Sequence, residues 1–281
     1  MKTALLICTD LDRTLIPNGD EPESPKARKY FRKLAEMPEI TLAYVTGRHA
    51  ALVREAIHQY DLPPPDFVLG DVGSTIYACK GKEWQRWGAW EAHIAPDWGG
   101  RDHAQLAALL DGFDGLRLQE NTKQNTHKLS YYVDLSLNHT YLMDEMQMLL
   151  KAHGIHASLI WSIDEPANTG LLDVLPASAS KRHAIEFLLE KQGFSLATTV
   201  FSGDSGNDLP VLISPIPATL VNNASREIKL EALQMARMSG TEQALYLAQG
   251  GFLGMNGNYA AGILEGIVHY HPEVGTWLEE A

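Results

Sequence analysis

A chain of 281 residues, 45% of them hydrophobic, is long enough to bury a substantial core as one large domain or two modest ones. Its 35 acidic residues outnumber 23 basic ones, which argues against nucleic-acid binding and against attraction to anionic membranes; a small anionic substrate would need a local positive site. Two cysteines, Cys8 and Cys79, do not suggest a disulfide framework, the N-terminal apolar run is too short for a signal peptide, and no later stretch approaches the roughly 20 apolar residues that span a bilayer, so a cytoplasmic protein is expected.

Short apolar runs alternate with helical patterns in the first part of the chain, as in a parallel sheet covered by helices. Strands are predicted near 4–9, 41–45 and 67–70, and helices near 25–36 and 49–60. Ser24-Pro25 reads as an N-cap followed by a first-turn proline, and "DLPPPD" stops the second helix. Beyond "GSTIYACKGKEW" the texture changes. Trp84, Trp87, Trp90 and Trp98 cluster, a helix is predicted near 102–111, "KLSYYVDL" alternates as a strand, and a helix near 139–153 precedes the strand-like "ASLIWSI". The first texture resumes at "LLDVLP", with a helix near 180–192 and a strand near 198–202. The expected architecture is a doubly wound parallel-sheet α/β core, Rossmann-like, formed by 1–81 and 169–281. An α+β domain at 82–168 interrupts it.

The chemistry begins at "CTDLDRTLI", where Asp10 and Asp12 stand one residue apart as an apolar strand ends. Strand alternation would put both on one side, two like charges that need neutralising. Solvated aspartates in a turn are the bland alternative. "FSGDSGNDLPVL" repeats the pattern with Asp204 and Asp208. Open α/β sheets bind ligands at the carboxyl ends of their strands, so the two sets of acids can converge there. A hard divalent cation would offset their repulsion, and Mg2+ suits an all-oxygen donor set with no histidine or cysteine cluster competing. At a third strand end, "LAYVTGRHAALV", Thr46 and Gly47 precede a helix whose free N–H groups make an anion site, although the pair could be an ordinary cap. Lys181 opens the helix "KRHAIEFLLEKQG", where the helix dipole disfavours a cation; it asks for an anionic partner, with solvation the plain alternative.

Together "DLDRTL", "VTGR", Lys181 and "GDSGND" resemble, in order, the four motifs of the haloacid dehalogenase-like phosphatases. The resemblance implies that Asp10 is the nucleophile that forms an aspartyl phosphate and that Asp12 is the general acid and base. It implies a metal held by Asp10, Asp204 and the backbone carbonyl of Asp12, with Asp208 and Asn207 orienting its waters. Thr46, Gly47, Arg48, Asn207 and Lys181 would bind the phosphate.

Further stretches, "PDFVLGDVGSTIY", "LQENTKQNTHKLSYYVDL", "LLDVLPASASK" and "GNYAAGILEGIVHY", are similar to the sucrose-phosphate phosphatase branch and its relatives acting on other disaccharide phosphates. That branch implies a sugar-phosphate substrate, an inserted cap whose Glu120 and Lys128 hydrogen-bond the sugar, a functional association with a sugar-phosphate synthase, and a monomer without the additional C-terminal domain of plant members. Glu120 and Lys128 could equally be exposed cap charges. Two segments depart from the branch pattern: "NTKQNTH" is longer and more polar, and "GFLGMNGNYAAG" is richer in glycine and asparagine. A phosphomutase and a non-catalytic sugar-phosphate sensor are the rival readings. The sensor would have lost a nucleophile or metal ligand, and Asp10, Asp12, Lys181 and Asp204 are all present.

Overall fold

The strand Leu5–Thr9 is buried along its whole length, as an apolar strand must be in the middle of a parallel sheet covered on both faces. The computed structural model describes residues 4–164 and 167–280. Met1–Thr3, the start of the apolar N-terminal stretch, lie outside the described residues.

Elements follow in the order β1 (Leu5–Thr9), α1 (Ala27–Ala35), β2 (Ile40–Val45), α2 (Ala50–Gln59), β3 (Phe67–Gly70), β4 (Thr75–Lys80) and β5 (Glu83–Arg86). Next come α3 (Gly88–Ile94), α4 (His103–Leu110), β6 (Leu116–Leu118), β7 (Leu129–Val133), α5 (His139–Ala152), β8 (Ala157–Asp164) and β9 (Thr169–Pro176). The chain continues with α6 (Lys181–Gln192), β10 (Thr199–Gly203), α7 (Leu209–Leu212), β11 (Ala218–Leu220), α8 (Arg226–Ser239), β12 (Leu245–Leu247), α9 (Ala260–Tyr270) and α10 (Glu273–Glu280). The residues up to Arg86 and those from Lys181 form one compact unit, and Trp87–Ser180 form another.

The larger unit holds an eight-stranded sheet ordered β12-β11-β10-β1-β2-β3-β4-β5. Strands β12 through β3 run parallel, and β4 and β5 are antiparallel additions. From β1 the chain winds outward to β2 and β3 on one side and resumes at β10 on the other, so the strand order reverses at the β1–β10 pair. Doubly wound sheets open a crevice at that point. Phe31 and Leu34 of α1 and Ile263, Leu264 and Ile267 of α9 join the strand side chains Leu5, Ile7, Leu42 and Tyr44 in the core.

The smaller unit is a four-stranded antiparallel sheet ordered β6-β7-β9-β8. Leu129, Tyr131, Val133, Leu172 and Val174 face Leu106 and Leu110 of α4 and Leu142, Met146 and Leu150 of α5. This period-2 alternation leaves Ser130, Tyr132 and Asp173 on the opposite face.

Both expected domain boundaries move. Residues Glu83–Arg86 pair with β4 in the large sheet instead of opening the insert. "LLDVLP", expected to restart the core, lies in β9, paired on both sides in the small sheet. A short apolar run reads the same in either kind of sheet. Trp90 and Trp98 are buried in the smaller unit, whereas Trp84 lies on β5 of the larger one, its ring under the Arg54 guanidinium at 4.4 Å. Cys8 and Cys79 are both free. Among the described residues, no helix is long and apolar enough to cross a membrane.

Helix α9 approaches β11 at Gly266, where a Cβ would stand 1.8 Å from the Thr219 hydroxyl. Alanine gains roughly 1 kcal/mol over glycine in a helix interior, yet overpacking of a tight core typically costs about 1–3 kcal/mol. Gly266→Ala should therefore lower the urea midpoint of unfolding with an unchanged denaturant slope. An unchanged or raised midpoint would contradict the close packing.

Candidate active site

Strands β1 and β10 are neighbours in parallel register, Thr9 opposite Ser202, so the residues after each strand emerge at the same edge. The Asp10 N–H donates to the Ser202 carbonyl at 2.9 Å, which carries the pairing one residue past β1. Asp10 and Asp204 therefore meet at the switch point of the sheet. With Asp208 they form a buried group in which one carboxylate oxygen from each residue lies within 4.8 Å of the others.

Lys181, the first residue of α6, supplies the cation its position asks for. It is 2% exposed, with Nζ 2.7 Å from Asp208 Oδ1 and 3.1 Å from both Asp10 Oδ1 and Asn207 Oδ1. Burial works to lower its pKa, but attraction to Asp10 and Asp208 outweighs that and raises it. The other oxygen of Asp208 accepts the N–H groups of Asp204 at 3.0 Å and Ser205 at 3.2 Å. Its carboxylate thus anchors the loop and Lys181. Asp204 accepts the Thr14 hydroxyl at 3.0 Å and has the half-exposed Arg13 guanidinium 3.6 Å away.

Three carboxylates against the buried Lys181 ammonium and the half-exposed Arg13 guanidinium leave negative charge in excess. Desolvation, reinforced by the neighbouring aspartates and partly offset by Lys181, pushes Asp10 up to about 8 and Asp204 up to about 7. Buried hard oxygens that repel one another are a donor set suited to a divalent cation, and Asp10, Asp204 and Asp208 are the residues that could hold it.

Asp12 has a different environment. Its carboxylate stands apart from that group, taken bidentately by Arg48 at 2.6 and 2.7 Å and by the Asn18 amide at 2.8 Å. Burial opposes ionisation, but these partners win and hold its pKa below the usual value. Arg48, expected at the phosphate, bonds Asp12 here through Nε and Nη2.

Thr46 and Gly47 follow β2. The buried Thr46 hydroxyl accepts the Arg48 N–H at 3.2 Å, keeping its own proton for another acceptor. The turn after β3 holds this loop from behind: Asp71 N–H reaches the Arg48 carbonyl at 3.0 Å and Val72 N–H the Thr46 carbonyl at 3.1 Å. Both residues have left-handed φ, 51° and 61°, a costly state for β-branched valine.

Glu120 and Lys128 lie in the smaller unit. Glu120 is exposed and accepts the Tyr132 hydroxyl at 2.9 and 3.0 Å. Lys128 Nζ is 3.8 Å from Asp173, which also accepts the Ser130 hydroxyl.

Sequence reading missed Thr14, Asn18 and Gly203. Thr14 lies inside the quoted "DLDRTL" and was detectable there. Asn18 sits in the turn-forming "PNG", which signals a bend but no partner. Gly203 gives no signal alone, yet a Cβ there would stand 2.5 Å from Asp208 Cγ.

The family model for sucrose-6F-phosphate phosphohydrolase matches residues 3–271. A HAD-like hydrolase of Nitrosococcus oceani is 52% identical over 279 residues, covering 99% of this chain and 75% of its own. Mannosylfructose-phosphate phosphatase of Agrobacterium fabrum is 27% identical over 271 residues, 96% of this chain and 98% of its own. The solved sucrose-phosphatase of Synechocystis, in complex with sucrose and phosphate, has a TM-score of 0.73 and 28% identity, covering 96% of this chain and 99% of its own.

The raised carboxylate pKa values set a pH dependence for the metal-free protein. An ordinary value of 3.8 in the unfolded chain against about 7 and 8 in the folded one means that the unfolded state loses these protons first as pH rises. Stability is then highest at low pH and falls through the window from about 4 to 8, as far as these groups decide it. The melting temperature without divalent ions should decline across that window, and added Mg2+ should raise it more at pH 8 than at pH 5. Equal Mg2+ effects at both pH values would contradict the assignment.

Proposed function

Since the chain belongs to the sucrose-6F-phosphate phosphohydrolase family, within the haloacid dehalogenase-like phosphatases, and is thereby a sugar-phosphate phosphatase, we propose that it is a Mg2+-dependent enzyme hydrolysing a disaccharide phosphate, with sucrose 6-phosphate the first candidate. The observation that carries the chemistry is Asp10: a buried carboxylate at the switch point of the sheet, 3.1 Å from Lys181 and beside Asp204.

In this reading an Asp10 oxygen attacks phosphorus and the bond from phosphorus to the sugar oxygen breaks, leaving an aspartyl phosphate. Asp12 supplies the proton that the departing alkoxide takes up. It then takes a proton from the water that attacks the aspartyl phosphate, releasing inorganic phosphate and restoring Asp10. Lys181, the Thr46 hydroxyl and the Gly47 N–H hold phosphoryl oxygens as charge shifts among them. Mg2+, held by Asp10 and Asp204, would neutralise these carboxylates and the phosphoryl group. The grip of Arg48 keeps Asp12 ionised, the form required to take a proton from water. Donation to the sugar oxygen therefore requires that grip to loosen in the first half-reaction.

Asp10→Asn should abolish phosphate release while the protein still folds, because an amide of nearly the same shape cannot act as the nucleophile. Asp12→Ala should lose about 10²–10⁴-fold on a sugar phosphate and less on an activated aryl phosphate, whose leaving group needs less protonation. An equal loss on both substrates would refute the acid role. An isomerised sugar phosphate without free phosphate would indicate a mutase.

We assign sugar recognition to the inserted unit, through Glu120 and Lys128, and expect turnover of disaccharide phosphates to exceed that of glucose 6-phosphate and fructose 6-phosphate. Mannosylfructose phosphate belongs in the same panel, because the Agrobacterium phosphatase matches this chain along nearly its whole length. Lys128→Ala should cost roughly ten- to a hundredfold in kcat/KM on the best disaccharide phosphate, equivalent to one charge-assisted hydrogen bond, and far less on an aryl phosphate. Equal turnover of mono- and disaccharide phosphates would refute the substrate class alone.

A further inference from the structure

The asparagine- and glycine-rich stretch Asn256–Tyr259, a departure from the branch pattern in the sequence, has no part in the reaction as described. It nevertheless reaches the loop that follows the nucleophile. The side-chain amides of Asn256 and Asn258 donate to the Pro22 carbonyl at 2.8 and 3.0 Å, and the Ser24 hydroxyl donates to Asn256 Oδ1 at 2.9 Å. Tyr259, whose side chain is buried, directs its hydroxyl to Glu21 at 3.5 Å. All these contacts join segments more than 200 residues apart in sequence.

One side chain then connects the stretch to the catalytic turn. Asn223, in the segment after β11, is 4% exposed. Its Oδ1 accepts the Tyr259 N–H at 2.8 Å, and its Nδ2 donates to the Arg13 carbonyl at 2.6 Å. From Arg13 the hydrogen bonds continue: its N–H donates to Asn18 Oδ1 at 2.8 Å, and Asn18 Nδ2 donates to Asp12 Oδ1 at 2.8 Å. The two residues that Asn223 joins are both backbone outliers. Arg13 has φ 57°, and Tyr259 has φ 51° with ψ −132°. Neither bears a side chain suited to that conformation. Such backbone persists where surrounding contacts over-determine it, and it clusters at functional sites.

We infer that Asn223 is a positioning residue for the reaction. It holds Arg13 in the left-handed conformation, which turns the chain after Asp12 and sets Asp12 against Asn18 and Arg48; the Asn256–Tyr259 stretch fixes Asn223 in turn. The inference rests on the proposed role of Asp12 in proton transfer.

The test pairs Asn223→Ala with Arg13→Asn, since asparagine enters the left-handed region far more readily than arginine. Asn223→Ala should lower kcat on the sugar phosphate about ten- to a hundredfold with KM changed less than about threefold, and should cost less on p-nitrophenyl phosphate. In the Arg13→Asn background the same Asn223→Ala change should cost at least about fivefold less, because the turn no longer needs to be held. Hydrogen exchange provides a readout independent of activity. Amides of residues 11–24 should exchange faster in Asn223→Ala and regain protection in the double variant, while those of β1, β2 and β10 stay protected. Loss of protection throughout the core, or an Asn223→Ala penalty of equal size in both backgrounds, would overturn the inference. An error in the role given to Asp12 shows separately, as equal losses of Asp12→Ala on sugar and aryl phosphates, and the exchange result then decides whether Asn223 holds the turn.

Discussion

Lys181 lies nearly buried between the carboxylates of Asp10 and Asp208, and the arrangement of both β1 and β10 ends depends on that contact. Removing one partner of such a buried pair typically costs about 3–5 kcal/mol, because the remaining charges are left without compensation. The ammonium nevertheless balances only one of three buried aspartates. Burial, reinforced by that excess negative charge, raises the pKa of Asp10 and Asp204, and the charge is what a divalent cation would balance. Asp208 spends both oxygens on Lys181 and on the loop amides. These bonds let it brace the loop and the lysine together.

Two aspartates one residue apart end in opposite environments. The first is desolvated among like charges and its pKa rises; the second lies between Arg48 and Asn18 and its pKa falls. Separation of this kind is how neighbouring carboxylates acquire different duties. Strand alternation alone would have kept them on one side as a repelling pair. The strand stops at Thr9, and the left-handed Arg13 turns the chain so that Asp12 faces a different set of partners.

Much of the core was legible because each motif follows an apolar strand and the strand order brings those ends to one edge. Asp10, Thr46, Asp204 and the start of α6 at Lys181 all sit where hydrophobic pattern and parallel topology require. Legibility failed where a partner is set by tertiary geometry. Arg48 stands next to the phosphate motif in sequence, yet it bonds a carboxylate 36 residues away. Strand β9 reads as part of the core because a run such as "LLDVLP" suits a buried parallel strand as well as the middle of a small antiparallel sheet. Only its pairing with β7 and β8 distinguishes the two. Glu83–Arg86 falls to the insert in the sequence because Trp84 reads with the tryptophans that follow it, whereas the backbone pairs the segment with β4 as an edge strand.

Backbone strain shows how the site is held by parts of the chain that carry no motif. Among the described non-glycine residues with positive φ, Arg13 follows Asp12, Asp71 and Val72 bond the carbonyls of the phosphate loop, and Tyr259 anchors Asn223. Each conformation is unfavourable locally and is kept by hydrogen bonds to a segment distant in sequence. A sheet edge alone would deliver strand ends to the crevice but would leave the loops beyond them free to sample several turns. The strained residues remove that freedom at the three places where the loops carry Asp12, Thr46 and the Asn223 contact. A local cost in backbone energy thereby becomes a fixed geometry for the reacting groups, which for phosphoryl transfer is the greater part of what a protein can supply.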